Sequence, residues 1–181
     1  ALNVLGEDHR LQSKLLGIAL RELNSKEPTG LFYSFVNLPG GKMSTRAGRV
    51  VYLDEIMEKI VKLAKEKLDE TELNDDIKNK LAENIGIGSL RYNILKVQAE
   101  KGFTFNIEDA LNLQGDSAPF AMYSHARAAA IIRNYGKDIP DVLLNEKLSN
   151  SEIKLLRTLS KWPDIVQRAV SNLSIHYIPN Y

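Results

Sequence analysis

Three cations, Lys42, Arg46 and Arg49, crowd the stretch "PGGKMSTRAGRVV" from Pro39 to Val51, and no acid accompanies them. Gly40, Gly41 and Gly48 lie among them and remove Cβ obstruction, so the sequence reads as a loop able to swing. Mobile positive charge of this kind suits a phosphate clamp. A transferring nucleotide spreads negative charge over its phosphate oxygens in the transition state, and cations that close on it then act electrostatically. The spacing is not that of a Walker loop, which requires Gly-x4-Gly-Lys-Ser/Thr. A water-facing hairpin turn has the same composition, because glycines reverse a chain and cations solvate it. The segment alone leaves both readings open.

The elements around it must position it. "LNVLG" is a short apolar run ending in glycine, and Leu11, Leu15, Ile18 and Leu23 follow at helical spacing. This is strand, turn and helix, the first half of a βαβ unit. "LFYSFVNL", Leu31 to Leu38, reads as a second buried strand. After the basic stretch "RVVYL" is short and β-branched. Asp54 reads as the cap of a helix with Met57, Ile60, Val61, Ala64 and Leu68 on one stripe.

An acidic break, "DETELNDD" at 69–76, ends this half, and everything beyond reads helical. One long amphipathic helix is expected to be interrupted by Gly86 and Gly88. Asn106 caps a short helix. A further helix has Pro119 in its first turn and stops at Gly136. Ser149 and Glu152 form a capping box for a helix to about Leu159, and Pro163 opens the next. The expected fold is mainly α with a small α/β part. Residues 1–70 form the α/β unit and residues 71–181 an all-α bundle of at least five helices.

Composition narrows the function. At 181 residues and 44% hydrophobic, the chain can bury a core. With 24 Lys+Arg against 23 Asp+Glu there is no global basic field, so any polyanion site must be a local cluster. The absence of cysteine excludes a disulfide framework and thiolate-held metals, and no metal ligand set is read in the sequence. No apolar run approaches the ~20 residues that cross a bilayer, so no membrane partner is expected and a soluble, cytosolic protein is. Ala1 is no initiator methionine, and "IHYIPNY" leaves Ile175, Tyr177, Ile178 and Tyr181 with nothing after them to cover them. An excised piece of a longer chain is expected, with an exposed, self-associating terminus.

"KMSTR", Lys42 to Arg46, resembles the KMSKS loop of class I aminoacyl-tRNA synthetases, and specifically the "MSTRxG" form of the arginyl-tRNA synthetases. "VLGEDHRLQ" from Val4 resembles the family's strand and turn that line the nucleotide pocket, and "VVYLDEI" the strand and helix start after the loop. "IGIGSLRYNIL" and "GDSAPFAMYSHARAAAII" resemble two helix openings of its tRNA-binding domain. The resemblance implies the end of a Rossmann-like catalytic domain followed by a helical anticodon-binding domain of the DALR type. It implies ATP and Mg²⁺ as cofactors, and L-arginine and an arginine-specific tRNA as partners.

Residue by residue, it implies that Lys42 contacts the ATP phosphates as the adenylate forms, with Ser44 hydrogen-bonding beside it. Met43 packs the loop down, while Gly6, Asp8 and His9 line the nucleotide pocket. Thr45 replaces the usual second lysine and cannot offset the charge of pyrophosphate; Arg46 or a group elsewhere would do so. The paired histidines of the HIGH motif have no counterpart among His9, His125 and His176. The chain is therefore expected to carry half of an active site and to be inactive alone.

In the helical half, Phe120, Tyr123, Arg127 and Ile131 fall near one face at steps of three and four. Such a face either holds a bundle together or stacks on splayed bases while its arginine meets phosphate. The resemblance implies the latter for Tyr123 and Arg127. Arg91 with its neighbour Tyr92, and Arg133, are further candidates for RNA, with packing an equal explanation for the first pair. Lys96, Lys101, Lys137, Arg157, Lys161 and Arg168 are basic but interleaved with acids. His125 reads as a packing histidine and Trp162 as a core anchor. Two other functions remain open: a free-standing RNA-binding module with a vestigial nucleotide loop, and a small-molecule adenylating ligase of the related fold. Cysteinyl and methionyl synthetases also join such a loop to a helical domain, but usually keep the second lysine.

Overall fold

A computed structural model describes residues 1–39, 51–136 and 147–181. Strand β1 (Leu2–Gly6), a 3-10 turn over Glu7–His9, helix α1 (Arg10–Glu22) and strand β2 (Thr29–Tyr33) follow in order. β1 and β2 pair in parallel, with Leu2 opposite Thr29 and Gly6 opposite Tyr33, which completes the expected βαβ unit.

"LFYSFVNL" is not one strand. β2 ends at Tyr33, and β3 (Val36–Asn37) pairs in a second sheet with β4 (Phe103–Thr104). The chain exchanges partners between the two. Ser34 N–H donates to the Ala99 carbonyl at 2.8 Å, and Phe103 N–H to the Phe35 carbonyl at 3.3 Å. Nor do Val51 and Tyr52 form a strand; Arg49 and Val50 lie outside the described residues. Tyr52 precedes α2 (Leu53–Leu68) as its cap residue, and its N–H is accepted by Glu55 Oε2 at 3.4 Å. Asp54 thus sits inside the first turn, not at the cap, where its charge still complements the helix dipole.

The core joins both halves. Ile60 and Ala64 of α2 meet Ala82 and Leu90 of α3 (Asp75–Leu95), with Phe105, Ala110 and Leu111 around the short α4 (Ile107–Ala110) closing the cluster. Met57, Val61 and Leu68 pack against it as the stripe predicts. Asn74 caps α3 by accepting Ile77 N–H at 2.9 Å.

α3 runs unbroken through both glycines, against expectation, because each is a packing notch. A Cβ at Gly86 would lie 3.0 Å from Val61 Cα of α2. One at Gly88 would lie 2.5 Å from Met122 Cε of α5 (Ala118–Tyr135). Close backbone approach, not helix termination, is what these positions require.

Local start and stop signals act as read. Asn106 caps α4, and Pro119 stands in the first turn of α5, which ends at Gly136 with φ of 65°. Before α6 (Asn150–Leu159), Ser149 Oγ accepts Glu152 N–H at 3.3 Å, and Glu152 Oε2 accepts Ser149 N–H at 2.7 Å. α7 (Trp162–Ser171) has Pro163 in its first turn, and α8 (Tyr177–Asn180) closes the described chain.

Three packing expectations change. Leu11, Leu15, Ile18 and Leu23 face solvent, although their helical spacing is as read. Trp162 is 43% exposed and lies tilted on Tyr181, ring centroids 5.2 Å apart, so it anchors the C-terminal turn and not the core. Tyr177 and Ile178 are half-buried in α8, which leaves Ile175 and Tyr181 as the exposed apolar residues there. Among the described residues no helix is long and apolar enough to cross a membrane.

Candidate functional site

Parallel strands place their carboxyl ends on one edge, and in open α/β sheets ligands bind beyond that edge. Gly6 ends β1 opposite Tyr33. Its backbone is extended (φ −62°, ψ 151°), and a Cβ there would lie 2.5 Å from Asp8 Oδ1. That oxygen ends an exposed side chain, so a Cβ at Gly6 would displace only the Asp8 carboxylate from its place beside the turn over Glu7–His9. Asp8 and His9 are exposed just past the edge, with His9 Nε2 3.7 Å from Asp8 Oδ2. The structure brings Gly6, Asp8 and His9 together.

Lys42, Met43, Ser44, Thr45 and Arg46 lie outside the described residues. The chain leaves towards them from Pro39, two residues after β3, and returns at Val51, two residues before α2. Pro39 and Val51 line a cleft of about 500 Å³ with Leu38, Ile56, Phe105 and Ile107. Among the described residues no group of three or more His, Asp or Glu side chains is arranged to hold a metal ion.

α5 presents the second candidate surface. Ala118 and Pro119 are buried, but Phe120, Tyr123, Arg127 and Ile131 are all exposed. The Arg127 guanidinium carbon lies 5.7 Å from the Tyr123 ring centroid, a pairing that keeps a cation and an aromatic face side by side towards solvent. Arg133 is exposed about a third of a turn round the helix from Arg127. His125 is also exposed, so it is not a packing histidine. Arg91 is exposed on α3, whereas its neighbour Tyr92 is half-buried.

A polar cluster at the far end of α3 escaped the sequence reading. The Tyr92 hydroxyl donates its single proton towards Asp116 Oδ1, with the Pro179 carbonyl as a second acceptor at 3.0 Å. Burial, then the Asp116 carboxylate as bond partner, pushes the Tyr92 phenol up to about 12. Lys96 Nζ donates to the Asp116 carbonyl at 2.7 Å and lies 3.4 Å from its carboxylate, so Lys96 is engaged here and is not part of a free basic surface. Asn180 Nδ2 donates to the Lys96 carbonyl at 2.8 Å and the His176 carbonyl at 2.7 Å. The one sequence signal was Asp116 standing directly before the Ser117 cap.

Comparison with known proteins gives these surfaces a family. Residues 31–107 match the family model described as "tRNA synthetases class I (R), catalytic domain", and residues 121–181 the "DALR anticodon binding domain". The arginine–tRNA ligase of Methanocaldococcus jannaschii is 36% identical over 182 residues, 99% of this chain. That of Haloarcula marismortui is 37% identical over 191 residues, 100% of this chain.

The chain belongs to the arginyl-tRNA synthetase family.

It spans about a third of the length of those relatives, 31% and 33%. The arginyl-tRNA synthetase of Thermus thermophilus superposes over 99% of the chain and 30% of its own, with a TM-score of 0.86 at 25% identity. Every described element of the chain therefore has a place in an arginyl-tRNA synthetase fold. The catalytic-domain match continues through the acidic break to residue 107, consistent with the core that α2 and α3 share. The anticodon-domain match begins inside α5.

Proposed function

We propose that the chain supplies the nucleotide-loop end of the catalytic domain and the anticodon-binding helices of a cytoplasmic enzyme that attaches L-arginine to its tRNA. ATP and the arginine carboxylate form an arginyl-adenylate with loss of pyrophosphate, and a terminal hydroxyl of the tRNA then takes the arginyl group and releases AMP. Mg²⁺ accompanies ATP on its phosphates. What carries this reading is a family match over 99% of the chain, with "KMSTR" between β3 and α2.

Lys42 and Ser44 meet the phosphates, and Met43 holds the loop down. Arg46 supplies the charge that Thr45 lacks. Gly6, Asp8 and His9, at the strand edge, line the nucleotide pocket. Tyr123 and Arg127 meet a base and a phosphate of the tRNA, with Arg133 and Arg91 on flanking backbone. The nucleotide-handling unit is residues 1–70 and the tRNA-handling unit 71–181. Their exposure favours the RNA role over packing for Tyr123 and Arg127.

The chain alone, with no HIGH motif, is inactive in arginine activation. The test joins it to the remaining parts of the enzyme and measures charging over the twenty amino acids, with the chain alone as control. Charging confined to arginine, lost by at least about a hundredfold in Lys42→Ala, is the expected result. Charging of another amino acid overturns the assignment. No charging with retained tRNA binding by the chain alone would instead make it an RNA-binding module.

A further inference from the structure

We propose that Tyr92, Asp116 and Lys96 are positioning residues that fix the angle at which α5 leaves the core and so set the pose of the Tyr123–Arg127 face on its RNA partner. The inference rests on reading that face as the tRNA-binding one.

Among the described residues, α5 is held almost wholly at its start. Ser117, Ala118 and Pro119 are buried, the Gly88 notch receives Met122, and from there on the helix is exposed on nearly every side. An object fixed at one end is a lever. Tyr123 and Arg127 lie six and ten residues beyond Ser117, about 9 and 15 Å along the axis at 1.5 Å per residue. A tilt of only about 10° at the start would carry them by about 2 Å. Misplacement of about 1 Å is enough to cost on the order of a hundredfold in a geometry-dependent step.

The start is gripped at one residue from two sides. Tyr92 in the last turn of α3 and Lys96, the cap residue four positions on, reach Asp116 together: the phenol takes the carboxylate, and the ammonium takes the backbone carbonyl at 2.7 Å. The next residue, Ser117, donates its hydroxyl to the Asn112 carbonyl and accepts Phe120 N–H at 3.3 Å. α8 braces the grip from behind. Pro179 offers its carbonyl to the Tyr92 hydroxyl, and Asn180 binds the Lys96 carbonyl at 2.8 Å. Since the phenol keeps its proton until about 12, it remains a donor throughout the neutral range.

Stability alone does not call for this arrangement. The Asp116 side chain is 58% exposed, and ion pairs and hydrogen bonds so open to water add little to folding. The same contacts bear heavily on direction, because they act at the short end of the lever. A positioning role therefore separates binding from stability.

The test uses the enzyme carrying this chain, with Asp116→Ala, Asp116→Asn and Tyr92→Phe. Asp116→Ala and Tyr92→Phe are expected to raise the KM and Kd for tRNA about tenfold, leave the KM for ATP unchanged and barely move Tm. Asp116→Asn, which keeps an acceptor for the phenol, is expected to recover most of the loss, and the double variant Tyr92→Phe/Asp116→Ala to be no worse than either single one. A tRNA KM unchanged in Asp116→Ala, or a loss shared equally with ATP, overturns the inference.

A second readout needs no activity. The chain has no cysteine, so spin labels at Lys80→Cys on α3 and Asn134→Cys on α5 are unique within it. Asp116→Ala is expected to broaden their distance distribution, and an unchanged distribution overturns the inference. Wild-type enzyme that neither binds nor charges tRNA refutes the proposed function instead, while the label distances still judge the grip.

Discussion

Two glycines two residues apart, on opposite faces of the same helix, should respond to alanine in opposite directions. At either site alanine removes glycine's excess backbone freedom and raises helix propensity by about 0.8–1.0 kcal/mol. At Gly86 the new Cβ would stand 3.0 Å from Val61 Cα and 3.1 Å from its N, both backbone atoms in the middle of α2. Neither can rotate away, so the two helices must move apart, and overpacking of this kind costs roughly 1–3 kcal/mol. The net is a destabilisation of about 1 kcal/mol, which for a chain of this size lowers Tm by about 2–4 °C. At Gly88 the new atom would meet only Met122 Cε, the far end of a flexible side chain that is 38% exposed. That methyl swings aside, the propensity gain survives, and Tm rises by about 1–3 °C. Thermal and urea unfolding of Gly86→Ala and Gly88→Ala measure both. Shifts of the same sign in the two variants would refute the assignment of the glycines as notches against different kinds of surface.

Two titrations give further checks. The Glu152 carboxylate is held below its ordinary value by the Ser149 hydroxyl and then the Ser149 N–H. A depressed folded-state value means that the capping box helps at any pH above the ordinary glutamate range and that the help is lost as pH falls through it. The Tm difference between wild type and Glu152→Gln should therefore be constant near neutrality and vanish in acid; a difference that persists there contradicts the capping geometry. Tyr92 has the opposite sense, because its value is raised from 10.0 to about 12. Burial and then Asp116 penalise the ionised phenolate, so folding is unaffected below pH 10 and weakens as the pH climbs from 10 to about 12. By ultraviolet difference absorbance one of the seven tyrosines should ionise at about 12, and Tyr92→Phe should abolish that step.

Signals that act over a few residues were legible in the sequence. Asn106, Gly136, Pro163 and the Ser149–Glu152 box sit where they were read, since a cap and the groups it satisfies are three or four residues apart. What depended on distant partners was not legible. Nothing in "LFYSFVNL" shows that Ser34 will bond Ala99 or that Val36 will pair with Phe103. Gly86 and Gly88 looked like breaks because the surfaces they admit, Val61 and Met122, belong to other helices. The periodicity of α1 predicted the helix but not the exposure of its apolar stripe, which depends on what packs against it. At the candidate sites, "KMSTR" and "YSHAR" stood out by resemblance as contiguous motifs. Tyr92 and Asp116, twenty-four residues apart and each ordinary in its own surroundings, did not.

The exposure of α5 also bears on how such a protein can change. Substitutions at outward positions such as Tyr123, Arg127 and Ile131 disturb no core, and surface changes of that sort usually shift stability by no more than about 0.5 kcal/mol. Selection on those positions is then almost purely selection on what they touch. A lineage could revise what this helix recognises one residue at a time without passing through an unstable intermediate. Ser117, Ala118 and Pro119, locked against the rest of the chain, would be the part it could not revise.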